Sequence, residues 1–161
     1  MAGTIDSRLA ELGIELPAAA APAANYVPYA ISGNQLYIAG QVTVWNGEFK
    51  FIGRLGEELG VDEGYQAARL CALNIIAQVK AACGGDLDRV ARCVKLGGFV
   101  NSTPDFTDQP KVINGASDLM VEVFEDKGKH ARFAVGTAVL PLGVAVEVDA
   151  IFEISGLGRE P

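Results

Sequence analysis

Two residues near the C-terminus have the types that chemistry on a small anion requires. Arg132 stands in the run His130-Ala-Arg-Phe-Ala-Val-Gly136, and Glu147 in Val144-Ala-Val-Glu-Val-Asp-Ala150. A guanidinium captures a carboxylate at two points through a planar fork of donors. A carboxylate close by can orient or deprotonate a water. Together they describe a site for a small anion that undergoes attack by water. The structural alternative is an ion pair of Arg132 with Glu147 or Asp149 across a sheet, and residue types alone leave both open.

Both runs read as strands, and strand side chains alternate faces. Arg132, Ala134 and Gly136 share one face, while Phe133, Val135 and Thr137 share the other. The small residues beside the arginine leave open space next to its guanidinium. In the last strand Val144, Val146, Val148 and Ala150 face one way, and Ala145, Glu147, Asp149 and Ile151 the other. Two carboxylates on one face are costly if buried without partners, so that face is wet or has a task. Pro141-Leu142-Gly143 joins strands 132–140 and 144–154 tightly, which predicts an antiparallel or otherwise adjacent pair with Arg132 and Glu147 on neighbouring strands.

The remaining elements must hold this pair. Thr4 caps a short helix over 5–13, and the Ala/Pro-rich stretch 17–24 reads as an extended connector. Residues 1–25 form an N-terminal arm that docks on the body or on a neighbour, and 26–161 form a single domain. Strands are expected at 29–31, 35–44 (with a possible bulge at Gly40) and 49–52, the last two joined by the Asn46-Gly47 turn. Asp62 caps a long helix to about Ala82, with Tyr65, Ala68, Ala72, Ile75, Ile76 and Val79 on its apolar face. A strand over 93–100 precedes a second helix over 109–126 with Pro110 in its first turn. This order gives an α+β fold, a mixed sheet with both long helices packed on one face. The bare face favours self-association.

The bulk properties narrow the function. With 13 Lys+Arg against 20 Asp+Glu the formal charge is −7, which repels a phosphate backbone unless a basic stripe compensates. No nucleic-acid partner is expected. Cys71, Cys83 and Cys93 are odd in number, have no CxxC spacing, and read as buried reduced thiols rather than a metal site. No stretch reaches the roughly 18 apolar residues of a membrane span, and the first residues lack a secretory pattern, so the default location is cytoplasmic. His130 reads as an exposed loop histidine, and Trp45 as a packing residue. No GxGxxG or P-loop context occurs, so no nucleotide site is expected.

The pattern Ala131-Arg132-x-x-Val135, followed through Leu140-Pro141 by Val146-Glu147-Val148-Asp149-Ala150, resembles the C-terminal signature of the Rid (YjgF-like) family. Ala21-Pro22-Ala23 with Pro28-Tyr29, Tyr37-Ile38-Ala39-Gly40-Gln41-Val42, and Phe99-Val100 resemble further family segments in the same order. The resemblance implies a chorismate-mutase-like fold and a homotrimer with three clefts between subunits. It implies hydrolysis of small reactive 2-imino or enamine carboxylates to 2-oxo acids and ammonia, with no metal or organic cofactor. Arg132 would hold the substrate carboxylate, Glu147 would position water, and Tyr29, Ala134 and Asn114 would line the cleft. Ala134 stands where the family has cysteine and Gly136 where it has a larger residue, departures that reshape the pocket. A non-catalytic carboxylate-binding protein on the same fold is the alternative.

Overall fold

The computed structural model describes residues 3–21 and 25–156. Residues 1–2 and 22–24 of the expected arm, including Pro22 and Ala23 of the N-terminal motif, lie outside the described residues, as do 157–161.

The arm begins with α1 (Thr4–Glu11), and its cap differs from expectation. Gly3 occupies the cap position and Thr4 makes no side-chain cap. The Asp88 carboxylate instead accepts from the Thr4 and Ile5 N–H groups at 2.8 and 2.9 Å. These bonds hold the Asp88 carboxyl below the usual carboxylate range. Leu9 is buried in the core, so α1 docks on the body.

Three strands follow: β1 (Tyr29–Ser32), β2 (Gln35–Gln41) and β3 (Val44–Trp45). A short β4 (Glu48–Phe49) pairs with β3 around Asn46-Gly47, whose φ angles of 48° and 88° give the mirror-image turn that hairpins favour. The helix α2 (Val61–Ala82) starts one residue before Asp62. Gly60 is extended and takes the cap position, and Glu63 reaches back to accept from the Gly60 N–H at 3.2 Å. Next come β5 (Val90–Asn101) and α3 (Gln109–Phe124) with Pro110 in its first turn. Then β6 (Ala131–Thr137) and β7 (Val146–Ile154) close the chain. The expected apolar faces of both long helices are buried, including Ala68, Ile75 and Val79 on α2 and Val112, Leu119 and Val123 on α3. All three cysteines are buried and unpaired. Among the described residues no helix is long and apolar enough to cross a membrane.

The sheet runs β1-β2-β7-β5-β6. β6 and β7 are therefore not neighbours, contrary to the reading of Pro141–Gly143 as a hairpin link. The strand–helix–strand unit β5-α3-β6 needs a crossover and pairs in parallel, which sets β6 at the edge. The chain then turns past the end of β5, where the Asn101 N–H donates to the Ala145 carbonyl at 2.8 Å. It returns antiparallel along the other side of β5. Val146, Val148, Ala150 and Phe152 of β7 are buried on the helix-covered side. The opposite face stays open and carries exposed Tyr37, Phe99 and Val135, with Phe99 and Phe133 edge to face at 5.3 Å.

Candidate functional site

Glu147 lies on the open face of β7, half-buried, one residue from the buried Val146 and Val148. On neighbouring β2 the register shifts between Ile38 and Gln41, the bulge that Gly40 suggested. A β-carbon at Gly40 would collide with the Glu147 carboxylate, so glycine there gives the carboxyl its room. Burial, and next the charge of Asp149, push the Glu147 carboxyl above its ordinary range. A carboxyl moved toward neutrality is a better proton acceptor and donor at physiological pH. Glu147 also borders a cavity of about 670 Å³ reached by Ala18–Ala21, Tyr26, Pro28 and Phe49.

Arg132 is on the other side of the sheet. Its Nη1 donates to Ser117 Oγ at 3.0 Å and its Nη2 to the Pro110 carbonyl at 3.3 Å, both on α3. Pro110, Asn114 and Ser117 recur at one-turn spacing, so exposed Asn114 sits between the two groups that hold the guanidinium. Face assignment follows from two adjacent glycines. A β-carbon at Gly98 would meet Ile113 of α3, and one at Gly97 would meet Asp149 and Phe133. Gly98 pairs with Ala134, which like Arg132 faces the helices, while Asp149 and Glu147 face away.

One chain thus does not unite the two residues. None of the ion pairs among the described residues includes Arg132 or Glu147, which removes the cross-sheet pairing with Glu147 or Asp149 as the explanation of Arg132. Ala134 packs against the core beside Arg132. The open space expected at Gly136 is taken by Ser102 Oγ and the Gln109 amide. Tyr29 pairs with Ile38 and packs against the core; the described lining of the Glu147 cavity holds its neighbours Tyr26 and Pro28 rather than Tyr29. His130 is not the exposed loop residue expected. It is half-buried, with Nδ1 2.6 Å from the Gly128 carbonyl and Nε2 2.9 Å from Ser117 Oγ. Sequence reasoning missed Ser117, although its spacing from Pro110 and Asn114 was there to be read.

A family model described as "YjgF/chorismate mutase-like, putative endoribonuclease" matches residues 6–154. The chain belongs to the YjgF/Rid family. Within reach of this YjgF/Rid chain is Protein TCP17 of Trypanosoma cruzi, 55% identical over 154 residues, or 95% of this chain and 96% of that protein. The crystal structure of Atu1372 from Agrobacterium tumefaciens is 51% identical, with TM-score 0.88 over 94% of this chain and 92% of that one. A Shewanella oneidensis structure described as a "putative endoribonuclease" is 41% identical, with TM-score 0.90 over 94% and 100% of the two chains. The mixed sheet with long helices on one face is the YjgF/chorismate-mutase-like fold that the resemblance implied.

Proposed function

We propose that this YjgF/Rid chain hydrolyses reactive 2-imino carboxylates, and their enamine tautomers, to 2-oxo acids and ammonia. The observation that carries the reading is the state of the two side chains. Arg132 is fixed by α3 with no carboxylate partner among the described residues, and Glu147 is a half-buried acid beside a cavity.

Lying on opposite faces, the two act together only when contributed by different copies of the chain. The exposed Tyr37, Phe99 and Val135 give the open face reason to be covered by such a copy. A closed cyclic assembly, a homotrimer, would bring the Arg132 edge of one protomer to the Glu147 face of the next. In each cleft Arg132 grips the substrate carboxylate, with Asn114 and Ala134 on its side and Tyr29 at the rim. Water adds to the imine carbon as Glu147 accepts its proton. The new C–O bond forms while the C=N electron pair goes to nitrogen. Glu147 returns the proton to nitrogen, giving a carbinolamine. It then takes the hydroxyl proton and passes it to the same nitrogen, so that the C=O bond forms as the C–N bond breaks and ammonia leaves with the 2-oxo acid. An imine carbon is already electrophilic, so positioning of water supplies much of the acceleration.

The test is release of ammonia and 2-oxo acid from freshly generated imino acids, with wild type beside Arg132→Ala and Glu147→Gln. Turnover lost in both variants supports the hydrolase. Carboxylate binding without turnover in wild type would replace it with a binding protein on the same fold.

A further inference from the structure

The cavity beside Glu147 is larger than the reaction requires. At about 670 Å³ it lies in the range that encloses a whole small ligand. The three or four carbons of the smallest imino acids would leave most of it empty.

Its wall is apolar where it leaves Glu147. Val44, Phe49 and Leu142 contribute side chains, and the roof is the run of methyl groups at Ala18–Ala21. Each amide side chain that borders it makes a hydrogen bond with the backbone, and Asn74 Oδ1 is buried without a partner among the described residues. Asn46 Oδ1 accepts from the Ala18 N–H at 2.8 Å, and Gln41 Nε2 donates to the Ala39 carbonyl at 3.0 Å. Asn74 Nδ2 donates to the Val44 carbonyl at 2.7 Å and the Leu70 carbonyl at 3.1 Å. The roof is also held at Ala20, whose carbonyl accepts from Gln78 Nε2 at 2.7 Å. The roof is thus held at two points, Ala18 and Ala20.

We propose that this cavity receives the substrate side chain, and that the chain prefers 2-imino acids with large apolar side chains, aliphatic or aromatic, over the three- and four-carbon ones. The inference rests on the hydrolase reading and assigns Ala18–Ala21 as its specificity-determining segment. With only methyl groups there the space stays open, and the desolvation of each substrate methylene favours binding.

The experiment compares kcat/KM for imines generated by an amino-acid oxidase from alanine, 2-aminobutyrate, leucine and phenylalanine. One added methylene changes such a ratio by roughly tenfold or more, so the leucine or phenylalanine imine should exceed the alanine imine by at least that factor. Ala18→Phe, at an exposed position, fills the cavity from the roof and should lower that ratio about tenfold. An alanine imine turned over as fast as the larger ones overturns the proposal, and so does a ratio that Ala18→Phe does not move. The wild-type series decides by itself if the variant is insoluble. If no imine is turned over, the hydrolase reading fails separately. Calorimetry with pyruvate and 4-methyl-2-oxopentanoate then judges the cavity, and equal affinities would overturn it.

Discussion

Ser117 Oγ accepts from Arg132 Nη1 across 3.0 Å, fixing to a helix the guanidinium of an edge strand. The same oxygen is 2.9 Å from His130 Nε2. A carbonyl only accepts, so the Gly128 carbonyl 2.6 Å away sets the proton on Nδ1, the tautomer in which Nε2 accepts from the hydroxyl. Ser117 thereby keeps its lone pairs for the arginine. Hydrogen bonds to charged groups contribute about 1.5–3 kcal/mol. The Pro110 carbonyl stays in place when Ser117 is removed, so Ser117→Ala should raise KM about tenfold and lower the melting temperature by no more than several degrees. Steady-state kinetics beside a thermal melt checks this, and a variant with wild-type KM would show that α3 does not orient the arginine.

Opposite-face placement makes subunit mixing informative. Arg132→Ala and Glu147→Gln chains are each expected to be inactive alone. Mixed in equal amounts and reassembled, about a quarter of the clefts in a cyclic assembly receive one intact residue of each kind. Recovered turnover near that fraction is the expected result. Persistent inactivity in a properly assembled mixture would mean that the two residues do not share a cleft.

The raised carboxyl of Glu147 has a consequence for stability. Its protonated form is favoured by burial in the folded chain, so the folded state binds more protons than the unfolded state between the ordinary value of 4.5 and the raised one. The stability contributed by the protonated form is complete below 4.5 and is lost as pH rises through the folded value. Glu147→Gln should therefore melt higher than wild type at neutral pH, with the margin closing as the pH is lowered toward 4.5. Melting curves over that range test it. A lower melting temperature in the variant at neutral pH would show that a cation reaches Glu147 in the assembled protein.

Gly40→Ala should act on chemistry more than on folding. The added β-carbon meets the Glu147 carboxylate, the far end of a side chain that can swing away. Displacing a catalytic group by about an ångström can cost on the order of a hundredfold in rate. Turnover should fall by at least tenfold while circular dichroism is unchanged. An unaffected rate would remove Glu147 from the reacting centre.

Much of this fold was legible because its signals are local. The helical spacing of Ala68, Ala72, Ile75 and Val79, the Asn46-Gly47 turn and the Gly40 bulge each appear as read. Strand alternation correctly put Arg132 with Ala134 and Glu147 with Asp149. Strand order was misread because a short connection such as Pro141–Gly143 looks the same whether it closes a hairpin or carries the chain past an intervening strand. The crossover of β5-α3-β6 puts β6 parallel beside β5, and β7 takes the other side of β5 rather than the free edge of β6. His130 was misread because its partners, Ser117 and Gly128, become neighbours only when α3 packs on the sheet edge. The cavity roof had no sequence signal at all, since alanines in an extended arm say nothing of what they cover.

The roof also imposes an order of events. The anchors described for the roof and for the helix before it lie downstream: Asn46 for Ala18, Gln78 for Ala20, and for Thr4 the carboxylate of Asp88, 84 positions later. A ribosome makes this segment well before anything it can rest on, and the entropy of closing so long a loop has to be overcome by contacts that exist only once the sheet is formed. The earliest-made of the described residues thus complete their contacts only with segments made later, and the wall beside Glu147 gains its roof only where those segments are already in place.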